Sequence, residues 1–87
     1  MYRILFSRKA EKHKALLKQA NLEKKARALL DLVSKNPFQN PPAYEKLLGE
    51  FSGAYSRRIN HQHRFVYMVD EDKKEVIVLS MWTHYEF

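Results

Sequence analysis

Tyr2-Arg3-Ile4-Leu5-Phe6 mixes β-branched and aromatic residues and stops at Ser7. Serine suits the position just before a helix, so a short strand is predicted to hand over to a helix there. That helix runs to about Ala20, with Ala10, Leu16, Leu17 and Ala20 as a thin apolar stripe between Lys9, Lys12, Lys14 and Lys18. Asn21 is expected to cap a second helix, in which Leu22, Ala26, Leu29, Leu30 and Val33 recur at helical spacing opposite Glu23, Lys24, Arg27 and Asp31. The pair reads as a helical hairpin.

Pro37 disfavours helical geometry in Asn36, and Phe38-Gln39-Asn40-Pro41-Pro42 is expected to continue as a stiff extended loop. Beyond it the apolar period shortens to that of strands. Tyr55 to Asn60, His63 to Val69 and Glu75 to Trp82 are separated by His61-Gln62 and by Asp70-Glu71-Asp72-Lys73-Lys74, and read as an antiparallel meander. The outline is β-α-α-β-β-β: an α+β fold with two helices packed on one face of a mainly antiparallel sheet, forming one domain over residues 1–87.

Composition narrows the class. A hydrophobic content of 45% is ample for a folded core, and the lack of cysteine excludes disulfides, thiolate metal sites and a cysteine nucleophile. A reducing cytoplasm fits best. No apolar stretch, Val76 to Leu79 included, comes near the ~20 residues that cross a bilayer, and the charged start gives no secretory leader, so a soluble, unprocessed protein without a membrane partner is expected. The net charge of +6 is uneven: residues 1–36 hold ten basic and three acidic side chains, residues 37–87 six and seven. Nucleic acid is the leading partner class; the alternative is that lysine-rich helices simply keep a small protein in solution.

Alternation places Tyr55, Arg57 and Ile59 on one face of their strand and Ser56, Arg58 and Asn60 on the other. One arginine is then solvated, while the other lines a partly covered concave surface where an unpaired guanidinium calls for an anion. Arg64 adds a third planar fork, a shape that suits phosphate. A two-residue hairpin loop pairs Ile59 with Arg64, whereas a three-residue loop pairs Asn60 with Arg64 and puts Arg58 and Arg64 on one side. The competing reading has these arginines bridging to the acidic turn at Asp70 to Asp72. Among the histidines, His13, His61 and His63 take ordinary packing or surface roles, while His84, next to Tyr85 near the end of the chain, is the candidate general acid. Glu45 is the candidate base, with Glu50 as the alternative. There is no HExxH, P-loop, GxGxxG or GxSxG pattern, so no metal or cofactor is expected.

Tyr44-Glu45-Lys46-Leu47, Phe51-Ser52-Gly53-Ala54-Tyr55-Ser56-Arg57-Arg58-Ile59-Asn60, His63-Arg64-Phe65-Val66-Tyr67 and the His84-Tyr85 ending together resemble the YoeB/Txe family of bacterial toxins in the RelE superfamily. The resemblance implies an mRNA interferase: a metal-independent endoribonuclease that enters the ribosomal A site, cuts the messenger and stops translation. It makes Glu45 the general base, His84 the general acid, Arg58 and Arg64 the phosphate-stabilising arginines and Tyr85 a substrate-positioning tyrosine, with Lys46 and Arg57 as further substrate contacts. Leu48 departs from the lysine that the family often has after the motif's leucine. The implied partners are the ribosome and its message, a cognate antitoxin of the YefM/Axe, Phd-like type, and operator DNA only through the antitoxin complex; a homodimer stays open. The alternatives are a non-catalytic toxin of the ParE type that binds gyrase, and a basic RNA-binding or repressor subunit.

Overall fold

The computed structural model describes residues 1–82. Strand β1 (Arg3–Phe6) is followed by helices α1 (Arg8–Gln19) and α2 (Glu23–Lys35), then by β2 (Tyr44–Lys46), a 3₁₀ turn (Gly49–Phe51), β3 (Ala54–Arg58), β4 (Arg64–Asp70) and β5 (Glu75–Ser80). The strands form one sheet in the order β1-β5-β4-β3-β2. β1 runs parallel to β5 and the other pairs are antiparallel. This is the expected two-helix, mainly antiparallel layout with one strand more than the sequence pattern predicts: β2 lies where a loop is expected.

The start of α1 follows from Ser7. Its Oγ accepts a hydrogen bond from the Ala10 amide at 3.0 Å and donates to the Leu79 carbonyl at 2.9 Å, so one hydroxyl caps the helix and ties it to β5. Asn21 does not cap α2. It takes a left-handed conformation (φ 59°) between the helices, a geometry that asparagine tolerates, and Leu22 precedes the helix without a side-chain cap.

Alternation sorts the sheet into two faces. Phe65, Tyr67, Val76 and Val78 are fully buried and meet Ala10, Leu17, Ala26 and Val33 of the helices, forming the main core. On the other face Leu47, Ala54 and Val66 form a smaller cluster with Phe51 and Leu79. Neither α1 nor α2 contributes a residue to that second cluster, and its face carries the candidate chemistry. Among the described residues no helix is long and apolar enough to cross a membrane.

Candidate active site

The β3–β4 ladder fixes the arginines. Arg58 pairs directly with Arg64, and Arg57 with Phe65. The connection is longer than a two- or three-residue loop, yet it has the parity that puts Arg58 and Arg64 on one side. Asn60 shapes it: its Oδ1 accepts from the amides of Gln62 and His63 at 2.9 and 2.7 Å, while the His63 carbonyl accepts from the Ile59 amide at 2.9 Å. The β2–β3 ladder pairs Glu45 with Ser56, so Glu45 shares the face of Arg58 and Arg64. Glu45 and Arg58 are diagonal neighbours, a relation of about 7–8 Å between backbones.

These three side chains line a cleft of about 340 Å³ with Pro42, Ala43, Tyr44, Ser56 and the nearly buried Arg57. Arg64 Nη1 donates to the carbonyls of Asn60 and His61 at 3.3 and 3.2 Å, which orients its fork. Among the described residues neither Arg58, Arg64 nor Glu45 belongs to an ion pair. The bridges to the Asp70–Asp72 turn are therefore not made. Glu50 sits elsewhere: it lines a separate, mainly apolar hollow with Ser7, Phe51, Met68 and Leu79. Of the two candidate glutamates, only Glu45 stands beside the arginines.

Arg57 lies on the opposite side of its strand, touching the cleft only at its border, and among the described residues it meets no anion. It is 1% exposed. Its Nε donates to the Tyr67 hydroxyl at 3.0 Å, Nη1 to the Pro42 carbonyl at 2.8 Å, and Nη2 to the carbonyls of Pro37 and Gln39 at 3.0 and 2.8 Å. The Tyr67 hydroxyl in turn donates to Pro37 at 2.7 Å, and the guanidinium lies 4.8 Å from the centre of the Tyr44 ring. The anion expected for a covered arginine is thus replaced by neutral oxygens, three of them carbonyls, which meet four of the five N–H donors a guanidinium carries. The same bonds explain why residues 37–42 wrap back against the sheet instead of running out as extended chain. Burial, the larger effect, pushes the Tyr67 hydroxyl above its usual range despite the opposing pull of Arg57, so it stays protonated. Lys46 pairs with Tyr55 and so lies on the face away from Glu45; Leu48 is 82% exposed just beyond it.

His84 and Tyr85 lie outside the described residues. The chain leading to them is held by two histidines whose roles the sequence does not separate. His13, buried on α1, accepts the Met81 amide on Nδ1 at 3.1 Å. His63 stacks on Trp82 with ring centres 4.1 Å apart, and its Nδ1 lies 3.0 Å from the Trp82 carbonyl, which also accepts from the Arg64 amide at 3.0 Å. Nδ1 is therefore the acceptor in one ring and the donor in the other. The sequence does hold a signal for His13: it falls three residues after Ala10 and four before Leu17, on the buried stripe.

Helices on one face and an open, arginine-lined cleft on the other make this a RelE-like toxin fold. A YoeB/ParE toxin from Agrobacterium tumefaciens superimposes with a TM-score of 0.86 at 26% identity, covering 95% of this chain and 99% of that one. The toxin of a YoeB-YefM complex from Staphylococcus aureus does so at 0.81 and 35% identity, covering 98% and 99%. A family profile described as YoeB-like toxin of bacterial type II toxin-antitoxin system matches residues 6–85. Toxin YoeB of Synechocystis is 34% identical over 73 residues, 84% of this chain and 76% of that protein. The chain belongs to the YoeB family of type II toxins.

Proposed function

We propose that this toxin is an endoribonuclease that cuts messenger RNA in the ribosomal A site by acid/base chemistry without a metal. One observation carries the reading: Arg58 and Arg64 face each other across a strand pair with no counter-ion from the described residues, and a carboxylate stands on the adjoining strand. Like charges directly opposed are unfavourable unless an anion joins them. A phosphodiester is such an anion, and planar guanidinium forks match its oxygens.

Glu45 takes the proton of the ribose 2′-hydroxyl, the oxygen attacks the adjacent phosphorus, and the bond to the 5′-oxygen breaks as that oxygen receives a proton from His84. The products are a 2′,3′-cyclic phosphate and a 5′-hydroxyl; DNA, lacking the nucleophile, is not cut. Arg58 and Arg64 stabilise the charge that builds on the phosphorane oxygens, and Tyr85 helps to position the strand. The Trp82 carbonyl accepts from the Arg64 amide, and His84 follows two residues later in the sequence.

The S. aureus relative was solved with YefM. By extension an antitoxin with an acidic, otherwise disordered segment covers the basic cleft of this chain. A purely gyrase-binding toxin or an inert RNA-binding subunit leaves the Glu45, Arg58 and Arg64 arrangement without a role. The test is to incubate translating ribosomes with the wild type and with His84→Ala, then map message ends by primer extension. Discrete new ends with the wild type alone are expected; intact messages with both would reject the nuclease reading.

A further inference from the structure

Strand β2 is three residues long and, among the described residues, lies at the edge of the sheet and pairs only with β3. Isolated pairing of that length is marginal. The stretch before it, residues 36–43, has no helix or strand. Yet this strand carries Glu45, whose distance from the arginines decides whether it can act on a bound phosphodiester.

We propose that Arg57 is a positioning residue for Glu45. Working from behind the sheet, its guanidinium grips the carbonyls of Pro37, Gln39 and Pro42 and so fixes where β2 enters the sheet. Its two chain neighbours belong to the site: Ser56 is the ladder partner of Glu45, and Arg58 is the partner of Arg64. Clasp and cleft are therefore one peptide apart on the same strand. Arg57 is 1% exposed and four of its five donors are already met inside the protein, so its main engagement is with the clasp. Lysine cannot substitute, because a single ammonium point cannot span three carbonyls and a tyrosine hydroxyl. The assignment rests on the reading of Glu45 as the base.

The test compares Arg57→Lys with wild type in single-turnover cleavage on programmed ribosomes, in backgrounds carrying Glu45 or Glu45→Ala, together with amide hydrogen exchange. Misplacing a catalytic group by about an ångström costs up to ~100-fold. The expected result is a loss of about tenfold or more in the saturating rate, with half-saturation changed less than about twofold and no further loss in the Glu45→Ala background. Amides of Glu45 to Leu47 should exchange faster while those of β4 and β5 do not change. If Arg57→Lys does not fold, Tyr67→Phe loosens the same clasp and should show a smaller loss with the same dependence on Glu45. A weakened half-saturation at unchanged rate, an equal loss without Glu45, or unaltered exchange at β2 would each overturn the proposal. If Glu45→Ala cleaves at the full rate, the base reading is what fails, and β2 exchange alone decides the clasp.

Discussion

Arg58 and Arg64 are direct partners across the β3–β4 ladder, two cations side by side on the open face of the sheet. Such a pair works against folding and in favour of binding an anion. Arg58→Ala should therefore lower message cleavage on the order of 100-fold or more, the usual effect of deleting one donor to developing charge. Its melting temperature should hold or rise slightly, since Arg58 has no ion pair among the described residues and solvent screens the repulsion. Arg64→Ala should lose comparable activity but melt somewhat lower, because Nη1 also serves the carbonyls of Asn60 and His61. Cleavage assays and thermal melts on the two variants check this contrast. A clear fall in stability for Arg58→Ala would mean that the pair is structural.

The same juxtaposition gives an RNA-free test of the cleft. An anion that bridges both guanidinium groups binds the folded state alone, so inorganic phosphate should raise the melting temperature with concentration, the stability growing by about 1.4 kcal/mol per tenfold once binding is saturated. Chloride at matched ionic strength should do less. The rise should disappear in the Arg58→Ala/Arg64→Ala double variant, and its persistence there would assign the effect to other basic surface.

How far the fold and the site are legible in the sequence depends on range along the chain. The helices are legible because apolar spacing and the Ser7 cap are local signals. The arginine faces are legible up to a parity, which the Asn60 turn then decides through hydrogen bonds of its side chain. Strand β2 is not legible: three residues give too short a pattern, and what holds them is Arg57, ten or more positions away. The same guanidinium is expected to meet an anion, because sequence shows the charge of an arginine but not which carbonyl oxygens will surround it. Glu45 is named by motif resemblance; its place beside Arg58 comes only from the ladder.

His13 gives the fold a pH dependence of known sign. Burial, and secondarily the nearby charge of Lys9, hold its pKa below the ordinary 6.5. The unfolded chain thus binds the proton more readily than the folded one. Stability from neutral His13 is fully present above about pH 6.5 and is lost as the pH falls through that value toward the lower folded pKa. Protonation also removes the acceptor for the Met81 amide. His13→Asn keeps an acceptor near the same place and does not titrate, so its melting temperature should fall less between about pH 7 and 5 than that of the wild type. Parallel melts across that range decide it, and superimposable slopes would show that His13 is not the responsible group.

The basic helices bear on docking. Lys12, Lys18, Lys24 and Lys25 are exposed on α1 and α2 and form none of the ion pairs along those helices, which join Lys14 to Glu11 and Arg27 to Glu23. Because the excess positive charge of the chain sits in residues 1–36, the proposed nuclease function would have the helices meet ribosomal RNA phosphates and the opposite sheet face hold the message. Each phosphate that a lysine no longer neutralises should reduce the steepness of log affinity against log salt by roughly 0.7–0.9. Changing these four lysines to glutamate should therefore weaken ribosome association most at low salt and flatten its salt dependence. The melting temperature should move little, because these side chains are solvated. Sedimentation with ribosomes at several salt concentrations measures the slope. An unchanged slope with unchanged toxicity would leave the helical surface with no part in docking and assign the ribosome contact to the cleft side alone.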